Sequence, residues 1–441
     1  MQTIRLVLLC SFFFVGLLWP SSPGSLLRVE DAILSVLVVL CIPVGMRNEL
    51  HRRYLVFTVG FVVFFLMVGM AAVVLVSPPF GFSSGTVSTV KEAGRMVKVG
   101  LLCYASLAVL RLVTARQRTA LALVFALLLG IHLAVGIAQY AQVPAVVELT
   151  HEYFVDEVQA GNLTEGAIAS RSFRAVGTVY NPNIFGFIGV TLGFVIRGLV
   201  PGKRWLLVLA SAAAAATVVL SQSRSAIIAG LMGIAWLGVA SAKSRRGVFD
   251  RLLTLGVVMA ALLAGQSFFA EGRLGGEGVT LFASRPQYAW LFDEVLGGSP
   301  LVGFGIGTVW FLPSDSDYLF ALIQTGLLGV LALVTYYYLL FFGPGREMPG
   351  LRAAVIVAAV GGVANGVFFG NEVVPFVYLM FAAAITEIHV GAKLHERSGA
   401  NPHSPRGALA GGRQSSRAIG QRGRSSAPCR APSIESSDSA T

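Results

Sequence analysis

Apolar runs close to the roughly 20 residues that cross a bilayer recur along most of the chain, separated by short polar clusters. They predict about twelve transmembrane helices, over 4–20, 31–46, 54–77, 97–114, 119–142, 183–200, 205–221, 225–242, 252–270, 317–342, 351–370 and 373–391. Backbone surrounded by lipid must satisfy its own hydrogen bonds, so the expected fold class is all-α, a polytopic transmembrane helical bundle. The first run has the single arginine and apolar core of a secretory leader. That core is long for a leader and no small-residue cleavage site follows, so the run is read as a helix.

The polar clusters give the organisation. Residues 1–142 form N-terminal transmembrane helices, 143–182 a first long loop, and 183–270 central transmembrane helices. Residues 271–316 form a second long loop, 317–391 C-terminal transmembrane helices, and 392–441 a basic tail. Lys and Arg concentrate in alternate loops: Arg47, Arg52 and Arg53; Arg111, Arg116 and Arg118; Arg197, Lys203 and Arg204; Lys243, Arg245, Arg246 and Arg251; Arg346 and Arg352. That is the bias of cytoplasmic loops, so both termini are expected in the cytoplasm and both long loops outside it. Most acidic residues outside the tail fall on the outer side, among them Glu148, Asp156, Glu165, Glu277, Asp293, Glu294, Asp315 and Asp317. Long polar loops on one side of a bundle point to work done there. The tail, rich in Ser, Gly, Pro and Arg, has the composition of a disordered extension.

Composition agrees with this picture. Of 441 residues, 55% are hydrophobic and 12% charged, and the mean hydropathy is +0.75. A soluble domain carries about twice that charged share. The net charge of +11 suggests nucleic acid, but its placement in short loops and the tail fits topology better, so no nucleic-acid partner is expected. Cys10, Cys41 and Cys103 lie in apolar spans and Cys429 in the tail, with neither metal-ligand spacing nor a disulfide framework.

Candidate chemistry sits in the outer segments. Arg171 and Arg174 precede "AVGTVYNPNIFG"; Arg224 lies in "SQSRSA", a tight connection between two spans; Arg273 and Arg285 belong to the second long loop. An arginine near the membrane interface pairs with a carboxylate, snorkels, or serves an anionic ligand, and its guanidinium fork matches phosphate oxygens. In "YNPNIFG", Asn181 before Pro182 disfavours helix and Asn183 can cap the span that follows, while Tyr180 and both asparagines can contact sugar. In "SDSDYLFALIQTGLLGVL", Asp315 or Ser316 can cap a helix and Asp317 suits its first turn. A carboxylate there, beside arginines, can also act as general base on a hydroxyl acceptor.

Other features are weaker. "RPQYAWLFDEVLGGSP" spaces Tyr288, Leu291, Phe292, Val295 and Leu296 along one face of a short interfacial helix that Gly297, Gly298 and Pro300 end. "GFGIGT", 303–308, lacks the lysine and the βαβ context of a phosphate loop and reads as a flexible turn near the substrate. Asn162 heads a formal glycosylation triplet, and His132, inside a span, reads as a packed or cross-bonded histidine.

"RAVGTVYNPNIFG", "LSQSRSAIIAG", "SRPQYAWLFDEVLGGSPLVGFGIGT" and "DSDYLFALIQTGLLGVL" occur in that order over roughly 171–342. The set resembles the O-antigen ligase and O-antigen polymerase family of bacterial membrane glycosyltransferases. The resemblance implies a GT-C-like helical fold, a polyprenyl-pyrophosphate-linked glycan donor, a glycan acceptor, and an active site on the extracytoplasmic face of the inner membrane. By motif position Arg174, Arg224 and Arg285 look like the family arginines that engage pyrophosphate. The ligases carry a His followed by Asn, Ser or Gln, nine residues, and G-x-x-G. Here Gly326 and Gly329 place Asp315 and Ser316 in those two positions, so the ligase-type His is absent. That departure favours a polymerase. The eleven residues between Arg174 and Gly186, repeated between Arg285 and Gly297, come close to the Arg-to-Gly spacing of the family's polymerases.

The expectation is a metal-independent polysaccharide polymerase without a cofactor. Arg174, Arg224, Arg285 and Arg171 bind pyrophosphate or glycan together with Tyr180, Asn181 and Asn183, and Asp315 or Asp317 is the catalytic base. The lipid bilayer and a chain-length regulator are further expected partners. A ligase and a lipid-linked glycan flippase are the alternatives.

Overall fold

The computed structural model describes residues 1–18, 28–77, 82–83, 85–153, 173–179, 181–240, 293–310, 316–344, 346–363 and 374–397. These form α1 (Gln2–Leu18), α2 (Val29–Cys41), α3 (Glu49–Leu75), α4 (Thr86–Leu112), α5 (Ala115–Tyr140), α6 (Pro144–Tyr153), α7 (Pro182–Leu199), α8 (Arg204–Ser221), α9 (Arg224–Ala240), α10 (Asp317–Phe342), α11 (Pro349–Gly361) and α12 (Val374–Arg397). A 3-10 turn, Ile42–Val44, follows α2, and two-residue strands β1 (Phe82–Ser83) and β2 (Val309–Trp310) pair antiparallel. The chain divides into Met1–His389 and Val390–Thr441; of the latter only the end of α12 is described.

The protein is all-α and multi-pass. Among the described residues six helices are long and apolar enough to cross a membrane: Glu49–Leu75, Ser88–Leu112, Ala115–Tyr140, Pro182–Leu199, Arg204–Ser221 and Asp317–Phe342. Shorter apolar helices cover Gln2–Leu18, Ser225–Ala240, Pro349–Gly361 and Pro375–Gly391. Large apolar side chains point outward from the bundle, Val74 at 80% and Met67 at 68% exposure, as a lipid-facing surface requires. Eleven of the twelve expected spans overlap a helix, the one expected over 351–370 ending at Gly361 and the one over 31–46 at Cys41; the remaining one, 252–270, lies outside the described residues, as do residues 398–441 of the tail.

Local chemistry sets the helix starts. Asn48 accepts from the N–H groups of Leu50 (2.8 Å) and His51 (3.2 Å) at the head of α3. Thr114 caps α5, accepting from the Gln117 N–H at 3.3 Å. Pro182 and Pro349 open α7 and α11, where a missing N–H costs nothing. Inside, Phe13 of α1 packs on Phe125 of α5 (5.1 Å) and Phe376 of α12 (4.9 Å).

Three expectations change. The fourth helix begins at Thr86 rather than near residue 97, because its polar first half is packed against α2 instead of lying in a loop. The first long loop contains α6. The third change is larger: α10 is not a straight rod. Gly326 within it has φ 62° and ψ −158°, and a Cβ on Gly329 would lie 3.2 Å from the carbonyl of Ala321. Eight residues of straight helix would separate these by about 12 Å. The chain therefore folds sharply between 317–325 and 327–342.

The glycine segment 299–308 fills the break. Phe304 and Gly305 donate to the carbonyls of Ile323 (2.8 Å) and Gln324 (3.1 Å), while Leu327 and Leu328 donate to Pro300 (2.8 Å) and Leu301 (3.1 Å). Ile306 donates to Gly69 of α3 at 3.0 Å, and Thr89 of α4 donates to the Ile306 carbonyl at 3.1 Å. Irregular backbone inside a membrane bundle is tolerated where protein satisfies it, and here four backbone bonds do so. A Cβ on Gly326 would meet the Leu301 carbonyl at 2.5 Å, so the crossing admits only glycine. Residues 303–308 are buried, which corrects the reading of a flexible turn.

Candidate functional site

Two of the motif segments meet. Ala175 donates to the carbonyl of Leu220 at 3.0 Å, tying the stretch before α7 to the end of α8. Arg174 then donates from Nε to the Ser221 carbonyl (3.0 Å) and from Nη2 to the Asn183 side-chain oxygen (2.5 Å). α7 and α8 lie close enough for this because Gly186 of α7 faces Ser221 of α8.

The cap of α7 is Asn181, whose side-chain oxygen accepts from the Asn183 N–H at 2.8 Å. Asn183, expected as a cap, lies inside the first turn and holds Arg174 instead. The reason is the intervening Pro182: it occupies the first helical position, so the cap must precede it. Beyond Ser221 the chain turns through Gln222, which has φ 50°, directly into α9. Ser223 Oγ accepts from the Ala226 N–H at 3.3 Å, and the backbone of Arg224 opens the helix. The N-termini of α7 and α9, an arginine fork and the backbone of a second arginine thus gather at one place. Helix N-termini carry positive partial charge, so the arrangement suits an anion.

Asp317 lies across α11 from this cluster. It is fully buried, and its N–H donates to the Gly362 carbonyl at 2.9 Å. A Cβ on Gly362 would lie 2.8 Å from the Asp317 carboxylate, and one on Gly361 would clash with Phe187 of α7. Phe187 stands one turn below Asn183 on the same face. Phe187 and Asp317 thus approach successive glycines at the end of α11, Gly361 and Gly362. Ser316 caps α10, and its hydroxyl lies 3.5 Å from the Leu319 N–H and 3.3 Å from the Gly362 carbonyl. Tyr318 donates to the Ala359 carbonyl at 3.0 Å.

Arg171, Tyr180, Arg285, Arg273 and Asp315, and the side chain of Arg224, lie outside the described residues, as does Asn162. In the interfacial segment only 293–298 is described as helix; Val295 is buried against Phe304 while Leu296 is 45% exposed, so the two do not share a buried face. A cavity of about 280 Å³ lies beside it, lined by Val76, Ser77, Asp293, Glu294, Gly297, Gly298 and Phe304. His132 is buried, with Nδ1 2.8 Å from the Thr178 hydroxyl and Nε2 3.4 Å from the Phe185 carbonyl, the cross-bonded role its position suggested.

Sequence reasoning missed a charge cluster between α2 and α4. Lys98 of α4 pairs with Asp31 and, at 3.5 Å, with Glu30 of α2; Arg28 lies 3.7 Å from Glu30, and Arg95 2.9 Å from Glu92. The available signal was the i, i+3 spacing of Glu92 and Arg95 within a helical pattern. No group of three or more His, Cys, Asp or Glu able to hold a metal ion occurs among the described residues. No family model, curated protein or solved structure matches the chain.

Proposed function

We propose that the protein is a membrane glycosyltransferase that polymerises polyprenyl-pyrophosphate-linked oligosaccharide repeat units into a surface polysaccharide. In this reading the bundle has about twelve spans and a GT-C-like fold in the bacterial inner membrane, with termini in the cytoplasm and the site outside it. One observation supports it most: Arg174, fixed by Asn183 and Ser221, stands where the start of α7 meets the turn that carries Arg224. Two helix N-termini and guanidinium groups suit a pyrophosphate.

In the proposed reaction a hydroxyl of the acceptor glycan attacks the anomeric carbon of the donor sugar. The glycosyl–oxygen bond to pyrophosphate breaks as the new glycosidic bond forms. Arg174, Arg224 and Arg285 neutralise the charge that grows on the departing lipid pyrophosphate, and each well-placed donor contributes a few kcal/mol. The hydroxyl proton passes to a carboxylate. Because Asp317 is fully buried, Asp315 is the carboxylate proposed to touch the acceptor. The pyrophosphate linkage supplies the free energy.

The test is product analysis in a deletion strain, with complementation by the protein restoring the parental product. Loss of long chains, with single repeat units still attached to the acceptor, supports the polymerase. Accumulated long lipid-linked chains would instead indicate the ligase. The broken α10 favours a second reading, a lipid-linked glycan transporter, because interrupted helices are common in transporters. Movement of the lipid-linked glycan across vesicles with no new glycosidic bond would establish that reading over the first.

A further inference from the structure

The stretch that carries Arg174 is held from α5. Among residues 173–179 only Arg174 is not buried; it is half-buried, and 175–179 lie beneath it. A buried backbone N–H needs a partner, and each of these five has one. Ala175 donates to the Leu220 carbonyl at 3.0 Å and Val179 to the Val176 carbonyl at 3.1 Å. Val176 and Gly177 donate to Gln139 Oε1 of α5 at 3.1 and 2.9 Å. The Thr178 N–H donates to His132 Nδ1, also of α5, at 3.4 Å. All five donors are thus used within the protein. An anion at this place is met by side chains and helix starts, not by a cradle of N–H groups from 175–179.

Gln139 is the centre of this arrangement. It is fully buried, and its Nε2 donates to the Gly177 carbonyl at 2.9 Å and to the Thr150 hydroxyl of α6 at 3.0 Å. With two bonds donated and two accepted, its amide is fully used. His132 lies seven residues earlier, two turns along the same face of α5, with Nδ1 2.8 Å from the Thr178 hydroxyl. Gly136 lies between them. A Cβ there would come 2.6 Å from the Phe185 ring of α7, and one on Gly177 would clash with the same ring. Gly177 also has φ 61°, a conformation that suits glycine. The stretch is therefore pinned between α5, α6 and α7.

A leucine at 139 would fill the space with no polar group to satisfy. The glutamine instead spends three of its four bonds on Val176 and Gly177, within three residues of Arg174. The guanidinium is fixed in turn by Asn183 and Ser221. Backbone and side chain of Arg174 are thus set by separate contacts, the first from α5 and the second from α7 and α8.

We propose that Gln139 and His132 are positioning residues for Arg174: they fix its backbone so that the guanidinium stands in place before a pyrophosphate arrives. Under the pyrophosphate reading, on which this rests, the site extends to α5, a helix outside the motif-bearing stretch 171–342. A donor already in place needs no reorganisation when the anion binds or when charge develops on it. A stretch free to move would lose that freedom on binding, and affinity would fall. Gln139 and His132 touch no substrate in this arrangement and act only through residues 174–179.

The test is a double-mutant cycle on the purified full-length chain in detergent, titrated with farnesyl pyrophosphate by calorimetry. Arg174→Ala should weaken binding by about tenfold to a hundredfold. Gln139→Met keeps the length of the side chain and loses its four bonds, and should weaken binding by much of that factor. In the Arg174→Ala chain the same change should weaken it no further, a coupling that a general loss of stability does not produce. Melting temperature and elution volume establish that each variant is folded. Where Gln139→Met is not, Thr178→Val, which removes the hydroxyl bonded to His132, takes its place in the cycle. If Arg174→Ala weakens binding while the folded second variant binds like the parent, or if the two losses add, the positioning role is overturned and the pyrophosphate reading stands. If the parent binds no farnesyl pyrophosphate, or Arg174→Ala binds it like the parent, both fall together.

Discussion

Arg174 donates from Nη2 to the side-chain oxygen of Asn183 at 2.5 Å, while its Nε donates to the Ser221 carbonyl. The guanidinium is thereby fixed by two helices at once, α7 and α8. This is a use that a point charge on a flexible stem cannot reproduce. Arg174→Lys should lose both directed bonds while keeping the charge. If the protein is the polymerase proposed above, hydrogen bonds to charged groups worth about 1.5–3 kcal/mol imply that initial polymerisation rates fall by about tenfold to a hundredfold. Asn183→Ala should give part of that loss. Chain length of the product in a complemented deletion strain and initial rates with a lipid-linked donor read both effects.

Arg224→Ala and Arg285→Ala should each shorten the glycan if the three arginines share one pyrophosphate. Each removed donor is worth a few kcal/mol at the transition state, so rates should drop by at least about a hundredfold. Unchanged glycan length in both variants would point to a non-catalytic assembly scaffold.

Gly326→Ala should destabilise the protein without touching the arginine site. Its Cβ would meet the Leu301 carbonyl at 2.5 Å, and φ 62° with ψ −158° is a conformation essentially confined to glycine. Strain of this kind costs about 1–3 kcal/mol before the clash is counted. Thermal unfolding in detergent should show a clear fall in melting temperature. A melting temperature equal to the parent's would mean that 299–308 does not occupy the break.

Lys98→Met should leave Asp31 without its ion-pair cation and Glu30 with Arg28, at 3.7 Å, in a site where the Lys98 and Glu30 side chains are 15% and 9% exposed. Breaking one partner of a buried pair costs about 3–5 kcal/mol, whereas removing both partners is often neutral. The triple variant Lys98→Met, Glu30→Gln, Asp31→Asn should therefore melt above the single variant. The reverse order would show that Lys98 acts through its packing on the Phe12 ring, 5.7 Å away.

Apolar spacing located the membrane helices, since every hydrogen bond of a lipid-embedded helix is local and a run of about 20 apolar residues is enough to specify one. The sequence also narrowed the α10 cap to Asp315 or Ser316, of which the structure has Ser316, and gave the buried role of His132, both set by residues within or beside the helix concerned. Tertiary structure alone decided the fold at Gly326, because the groups that satisfy the break come from Pro300 to Gly305, outside α10. It decided that Asp317 is sealed against Gly362 rather than exposed, and that Asn183 holds Arg174 rather than capping α7. It also joined Lys98 to Glu30 and Asp31. Each of these depends on the register between helices far apart in the chain, which local apolar periodicity does not encode.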